Sequence, residues 1–196
     1  MAHASAHTDT FAHDNLPPID TWPELLLDGF EYPDHLNVGT ELTDAMVTKG
    51  FGDHTALIGN GRRRTYKELT DWTNRIAHVL VDDLGVQPGN RVLIRSANNP
   101  AMVACWLAAT KVGAVVVNTM PMLRAGELSK YVDKAQIAFA LCDTRLMEEL
   151  EACAARNPTL KRVMGFDGTS NHEAELDRLA LEKPVRFDAI PTTQDD

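Results

Sequence analysis

The sequence predicts an α/β domain: a parallel-sheet βαβ subdomain with a β-hairpin near Asn60-Gly61. Between residues 65 and 166, short β-branched apolar segments alternate with amphipathic segments of helical length. This alternation is typical of βαβ units with right-handed crossovers. The hairpin is predicted because a tight primed turn needs positive φ angles at both central residues, which Asn-Gly supplies. A chain of 196 residues is long enough to bury a core of this kind.

The helices before the sheet are predicted from local signals. A short helix is expected over residues 22–30, and a longer one over residues 37–50, where apolar side chains recur at helical spacing before a glycine. Thr65 and Glu68 fit a capping box, in which each side chain accepts a hydrogen bond from the other residue's backbone amide. The helix that follows should end near Gly85.

The sheet itself follows from four apolar segments and the helices between them. Strands are predicted at residues 91–96, 114–118, 136–143 and 160–166, and helices at residues 100–112, 124–135 and 144–158. Asn99 followed by Pro100 is a good helix start, because asparagine can cap and proline loses no amide that the helix needs. The strand at 114–118 is apolar on both faces, which predicts a central position in the sheet. From Asp167 onward the pattern weakens to one polar helix and an extended tail.

Residues 102–123, "MVACWLAATKVGAVVVNTMPML", form a long apolar stretch that raises the question of a membrane span. A spanning helix needs about 20 uninterrupted apolar residues. Lys111 and Gly113 interrupt the stretch, and Asn118 and Pro121 end it. We therefore expect a buried helix and a buried strand joined at Gly113, and no membrane partner.

Composition excludes further classes. The net charge of -9 argues against a nucleic-acid partner, because an acidic surface repels phosphate. The basic run at residues 62–64 is interpreted as a solvated strand face. The three cysteines have no metal-binding spacing, which indicates free thiols in a reducing compartment and predicts a cytoplasmic protein. Residues 1–20 lack the basic and apolar regions of a secretory signal and are predicted to be a poorly ordered leader.

Standard catalytic and nucleotide-binding motifs are missing from the sequence. It contains no G-x-G-x-x-G, no G-x-x-x-x-G-K-[ST], no G-x-S-x-G and no H-E-x-x-H. The small-residue turn at 166–171, "FDGTSN", is interpreted as a surface turn because no lysine follows closely. Neighbouring carboxylates on a helix point in different directions, so they make no acid/base pair by themselves. We assign no catalytic residue and no metal ligand.

Two segments together resemble the AMP-forming acyl-CoA synthetases of the adenylate-forming superfamily. Residues 62–80, "RRRTYKELTDWTNRIAHVL", are similar to the early T/S-Y-x-E-L signature of that family. Residues 84–143 follow the block that leads from G-V-x-x-G-D-x-V through N-x-P and K-x-G-A-V-V to an E-L helix. Asn90 stands where the family usually has aspartate. The resemblance covers residues 22–166. The segments "NNPAMVACWLA" and "NTMPMLRAGEL" look like aryl-CoA ligases acting on 2-aminobenzoate or benzoate.

The resemblance implies a two-step reaction. A carboxylate and ATP give an acyl-adenylate and pyrophosphate, and coenzyme A then displaces AMP. The full-length enzyme would use ATP, Mg²⁺ and coenzyme A, whereas no cofactor is expected to bind this chain. The phosphate loop would come directly after "PTTQDD", so residues 21–196 are predicted to be a partial N-terminal domain that is inactive alone.

One residue is a candidate for cofactor binding. Arg145 opens a helix in a region where related synthetases can approach the coenzyme A nucleotide, and a guanidinium at a helix start suits a phosphate. The alternative is an exposed arginine with no ligand.

Other functions remain open at this point. The chain could be a free-standing α/β binding or interaction module without catalysis. It could also be an amino-acid-activating domain of a peptide synthetase, although those usually carry a Y-V-P-x-D-type segment where this chain has "NTMPML". A truncated sheet would leave exposed the strand edges or apolar faces that later parts of the domain cover, and we expect this to favour a homodimer or poor solubility.

Overall fold

The computed structural model describes residues 5–24, 29, 32–167 and 174–196. The strands are β1 (Thr55–Gly59), β2 (Arg62–Thr65), β3 (Arg91–Arg95), β4 (Val115–Thr119), β5 (Phe139–Asp143) and β6 (Arg162–Phe166). The helices are α1 (Phe11–Asp14), α2 (Val38–Glu41), α3 (Asp44–Met46), α4 (Tyr66–His78), α5 (Pro100–Lys111), α6 (Ala125–Ala135), α7 (Met147–Ala154) and α8 (Glu175–Leu181). The α/β class predicted from the sequence is confirmed.

The predicted hairpin joins β1 to β2. Asn60 and Gly61 have φ angles of 53° and 71°, as the tight turn requires. The two strands pair antiparallel, with an irregularity between Thr55 and Leu57. At the end of β2 the predicted capping box is present: Glu68 N donates to Thr65 Oγ1 (3.2 Å) and Thr65 N donates to Glu68 Oε2 (2.8 Å). Both local predictions are confirmed.

The parallel sheet has the strand order β4-β3-β5-β6 within the described residues. The chain passes from β3 outward to β4, returns across β3 to β5, and continues to β6. Right-handed crossovers therefore place α5 on one face and α6 and α7 on the other. The two cores reflect this: Ile94 of β3 packs in the core formed with α4, α5 and α8, whereas its neighbour Leu93 packs with α6 and α7.

The predicted central position of the strand at 114–118 is wrong. This segment forms β4, which lies at the edge of the sheet, and its three valines are only half-buried. A strand that is apolar on both faces normally has neighbours on both sides. The sequence pattern of a strand indicates the polarity of its two faces but not how many strands lie beside it. The prediction was wrong for this reason.

The single helix predicted over residues 37–50 is also wrong. It is broken at Thr43 (φ −128°, ψ −81°) into α2 and α3, and a wide π-type turn follows at Val47–Phe51. Thr43 Oγ1 donates to the carbonyl of Gly39, a local bond that competes with the helical pattern. Gly39 lies so close to α5 that an added Cβ would be 2.6 Å from Leu107 O. Close packing on α5 fixes α2, and the chain bends before α3.

The N-terminal residues that are described make specific contacts. Thr8 N and Asp9 N both donate to Pro88 O, at 3.1 and 3.0 Å, and the Asp9 carboxylate accepts from Asn90 and Arg91.

The domain boundaries predicted at residues 1–20 and 21–196 stay a prediction. Most of the helix expected at 22–30 and of the turn expected at 166–171 falls outside the described residues, which omit 25–28, 30–31 and 168–173.

None of the helices in the described part of the chain combines the length and the apolarity that a bilayer span requires. Gly113, with a φ of 70°, separates α5 from β4, so residues 102–123 form a helix, a strand and a loop. The predicted division of this apolar stretch is confirmed.

Candidate functional site at the carboxyl edge of the sheet

Polar side chains collect where the parallel strands end. β3 ends at Arg95 and is followed by Ser96, β5 ends at Asp143, and Asp167 follows β6. The chain leaves β3 and β5 in opposite directions, so the gap between them is a topological switch point. In open α/β sheets, ligands bind outside the carboxyl ends of the strands at such a point. This edge is therefore the candidate site.

Asp143 is the buried anion of the edge, with 1% of its surface exposed. Its carboxylate accepts hydrogen bonds from Asn99 Nδ2 (3.2 Å) and from the backbone and side chain of Arg145 (3.0 and 2.8 Å). Ser96 Oγ lies 3.5 Å away. Burial acts to raise the pKa of Asp143, but the hydrogen bonds and charge of Arg145 outweigh it, so the pKa is below its ordinary value. The carboxylate is ionised and holds the site together.

Arg145 lies at the opening of this edge. The side chain is about half exposed, and its guanidinium binds Asp143 on one side and Asp167 Oδ2 (3.2 Å) on the other. Nη1 makes no hydrogen bond to any part of the chain that the structure describes. Arg145 lines a cleft of about 330 Å³ with Arg95, Arg124, residues 121–123 and the carboxylates of Glu148 and Glu149. Asp143 and Asp167 fix its guanidinium beside this cleft.

Arg95 shapes the opposite wall of this cleft. It is 2% exposed, and its guanidinium donates to four backbone oxygens. These are Leu146 O (3.3 Å), Met120 O (3.1 Å), Pro121 O (2.9 Å) and Leu123 O (2.8 Å). The planar guanidinium offers five donors in a fixed fork, which suits several carbonyls at once. Arg95 thereby fixes the loop that follows β4 to the start of α7.

The rim of the cleft carries a second ion pair. Arg124 Nη1 donates to Glu149 Oε1 (2.8 Å), and Glu149 Oε2 accepts from Ala125 N (2.8 Å). The hydrogen bond from Arg124 lowers the pKa of Glu149. Among the residues described, no three His, Cys, Asp or Glu side chains are grouped so that they could hold a metal ion. The cleft thus combines three arginines with two glutamates, and each arginine is bonded to carboxylate or carbonyl oxygens of the chain.

Sequence reasoning found only part of this site. It identified Asn99 as a helix cap, which is confirmed because Asn99 Oδ1 accepts from Met102 N (2.8 Å), but not as a donor to Asp143. It missed Asp143 and Arg95 altogether. The available signal was a charged residue at the last position of two parallel strands, directly after at least three consecutive apolar residues.

The fold and this edge define an open α/β domain with a ligand cleft at the carboxyl ends of its strands. The family model described as AMP-binding enzyme matches residues 45–195. The chain therefore belongs to the AMP-binding enzyme family.

Individual relatives are distant and longer. The chain is 25% identical over 184 residues to "Benzoate--CoA ligase" of Thauera aromatica, covering 94% of this chain and 33% of that protein. It is 31% identical over 131 residues to "Triostin synthetase I" of Streptomyces triostinicus, covering 60% and 25%. The crystal structure of the anthranilate CoA ligase AuaEII in complex with anthranoyl-AMP has a TM-score of 0.75 at 17% identity, covering 84% and 31%. The chain spans about a third of the benzoate relative.

Proposed function

We propose that the chain is the N-terminal part of an AMP-forming carboxylate–CoA ligase that activates aryl acids such as benzoate or 2-aminobenzoate. The observation that carries the proposal is the similarity to benzoate–CoA ligase, which extends over 94% of the chain inside a family match. The shared fold with an anthranilate CoA ligase supports it. The similarity to Triostin synthetase I covers only 60% of the chain, and we therefore prefer the ligase to the amino-acid-activating alternative.

We assign ATP, Mg²⁺ and coenzyme A to the whole enzyme. Stabilising the charge that develops on a triphosphate requires cations and oriented donors around it. The described residues have no metal-binding group of three, and the sequence has no phosphate-binding motif. The chain spans 33% of the benzoate relative, and we propose that the 196 residues serve as scaffold and cleft wall while the groups that form the adenylate lie in the rest of the enzyme. The free thiols of Cys105, Cys142 and Cys153, all buried, support a cytoplasmic location.

The first test of this proposal is the genomic reading frame. We expect it to continue past the codon for Asp196 into a Ser/Thr/Gly-rich loop that ends in Pro-Lys. A stop codon directly after Asp196 would favour the free-standing binding module instead. In the longer protein, adenylation of benzoate or 2-aminobenzoate should exceed that of a straight-chain fatty acid.

Arg145 is proposed to contact the coenzyme A nucleotide in the longer enzyme. Arg145→Ala should raise the KM for coenzyme A about tenfold, because a charge-assisted hydrogen bond to phosphate is worth roughly 1.5–3 kcal/mol. The rate of ATP–pyrophosphate exchange, which precedes coenzyme A binding, should stay unchanged. Steady-state kinetics of both half-reactions measure this.

The matched control is Arg156→Ala, since Arg156 is an exposed arginine that follows the other end of α7. It should leave both half-reactions unchanged. An unaltered KM for coenzyme A in a folded Arg145→Ala enzyme would leave Arg145 as an exposed arginine paired with Asp143 and Asp167.

A further inference from the structure

Residues 5–12 lie as a strap against the turn that leads into β3. The backbone amide of Asp9 donates to the carbonyl of Pro88 in this turn (3.0 Å). The two segments are in close contact, because a Cβ added at Gly89 would lie 2.1 Å from Asp9 O. The strap therefore packs directly on the amino end of the parallel sheet.

The carboxylate of Asp9 fixes the strap to β3. Asp9 Oδ2 accepts hydrogen bonds from Asn90 Nδ2 (2.8 Å) and from Arg91 Nη1. The ring of Phe11 stacks over the Arg91 guanidinium, whose carbon lies 4.6 Å from the ring centroid. Burial acts to raise the pKa of Asp9, but the hydrogen bonds from Phe11 N, Arg91 and Asn90 outweigh it and the pKa is lowered. The ionised carboxylate is thus the counter-ion of Arg91, which is 7% exposed.

The rest of the strap is held by few and mostly polar contacts. At its start, Ser5 Oγ and Ala6 N donate to the carboxylate of Asp196. Each of residues 5–12 is exposed or only partly buried, whereas all five residues of β3 are buried. A segment that buries little surface can open locally at a lower free energy than the whole domain needs to unfold. The strap has the properties of such a segment.

We propose that residues 5–12 are a detachable strap, latched by the Asp9 carboxylate on the Asn90 amide, which opens and closes one end of the groove between β4 and α6. Phe11 and Ala12 line this groove, which has a volume of about 520 Å³. When the strap detaches, both side chains leave the groove, and the groove then extends over Arg91. The inference does not depend on the ligase proposal, because every contact that it uses lies within this chain.

The residue at position 90 decides whether the latch closes. Asn90 Oδ1 accepts from Gln87 N (2.9 Å) and so supports the turn, whereas Asn90 Nδ2 donates to Asp9. In Asn90→Asp, one carboxylate oxygen can still accept from Gln87 N, but the other faces the carboxylate of Asp9. The donor is lost and two like charges repel each other. This substitution therefore opens the latch and retains the turn.

Hydrogen exchange in the 196-residue chain tests the strap. The amides of Thr8 and Asp9 should be protected, but they should exchange faster than those of β3, because the strap opens without global unfolding. Asn90→Asp should speed their exchange about tenfold or more and leave β3 unchanged, since repulsion replaces a charge-assisted hydrogen bond. Asn98→Asp adds the same charge at an exposed position beyond the other end of β3, and it should leave the strap unchanged.

Exchanging the two side chains of the latch distinguishes it from a general loss of stability. Asp9→Asn/Asn90→Asp retains one amide and one carboxylate beside Arg91, so it should restore most of the protection that Asn90→Asp loses. The fluorescent dye anilinonaphthalene sulfonate binds exposed apolar surface and reports the opening of the groove. Its fluorescence should rise in Asn90→Asp and fall again in the double variant.

Three results of hydrogen exchange would overturn the proposal. In the unmodified chain, the amides of Thr8 and Asp9 could exchange as in an unstructured peptide, or only together with those of β3. Folded Asn90→Asp could protect them as well as the unmodified chain does. The double variant could protect them no better than Asn90→Asp. Equal dye fluorescence in all three proteins would overturn the role of the strap at the groove.

Discussion

Asp44→Ala should lower the free energy of unfolding by about 3 kcal/mol, because it leaves a buried lysine without its counter-ion. Lys111, the last residue of α5, has a fully buried side chain. Its ammonium donates to the Asp44 carboxylate and to Asn74 Oδ1, and Asn74 Nδ2 donates to Val185 O (2.8 Å). These bonds connect α3, α4 and α5 to the segment that follows α8, through Val185. The carboxylate of Asp44 is partly exposed, so we expect the lower end of the range for broken buried pairs.

The loss of unfolding free energy caused by Asp44→Ala should be greatest near neutral pH. Burial acts to raise the pKa of Asp44, but the hydrogen bond and charge of Lys111 outweigh it and the pKa is lowered. A lowered carboxyl pKa contributes stability above its ordinary value of 3.8, and this contribution is lost as the pH falls through the folded-state pKa. Burial lowers the pKa of Lys111 below 10.5, against the opposing effect of Asp44. Without Asp44, Lys111 loses its proton more readily in the folded state, so the deficit should also shrink at alkaline pH.

Urea denaturation of the variant across pH measures this dependence, with two comparisons. Asp53→Ala removes an exposed aspartate and should change stability by less than about 0.5 kcal/mol. The double variant Asp44→Ala/Lys111→Met also removes the charge of the buried lysine, and it should regain most of the free energy of unfolding that Asp44→Ala loses. Equal stability of Asp44→Ala and Asp53→Ala would show that the pair is not a buried ion pair in solution.

Arg95→Ala should lower the free energy of unfolding by about 2–3 kcal/mol and loosen the wall of the cleft. The substitution removes a buried guanidinium that is hydrogen-bonded to four backbone oxygens in two segments. Several of these carbonyls would lose their buried donor, at about 1–3 kcal/mol for each that water cannot reach. Arg95→Lys should recover only part of the stability, since a single ammonium cannot replace the planar fork.

Hydrogen exchange localises the effect of Arg95→Ala. Amides of residues 120–124 should exchange faster, whereas those of β1 and β2 should be unaffected. Arg63→Ala, at an exposed arginine of β2, should change neither stability nor exchange in the loop. Unchanged protection of residues 120–124 in the Arg95→Ala variant would mean that the loop is held by other contacts.

Features of this fold that depend on neighbouring residues were predictable from the sequence. The Asn60-Gly61 turn, the Thr65 capping box and the Asn99-Pro100 helix start each depend on residues a few positions apart. Features that depend on distant contacts were not. The edge position of β4 depends on which strands lie beside it, and the break at Thr43 depends on the packing of Gly39 against α5.

In the candidate site, too, local features were predictable and features set by distant contacts were not. Arg145 was identified through its family resemblance and its place at the start of a helix, and its role in coenzyme A binding stays a prediction. Arg95 stands out in the sequence only as a charged residue at a strand end; its contacts could not be predicted, because its partners are backbone carbonyls 25 to 51 positions away in the sequence. Carbonyls occur at every residue, so no sequence pattern indicates such a contact. The burial of Asp143 likewise appears only when β3 and β5 lie side by side.

We propose that the groups which form the acyl-adenylate lie outside these 196 residues. ATP–pyrophosphate exchange by the purified chain, with benzoate and with 2-aminobenzoate, tests it most directly, with a full-length benzoate–CoA ligase as positive control. We expect exchange at the enzyme-free background with either acid. Turnover above that background by the chain alone would contradict the claim.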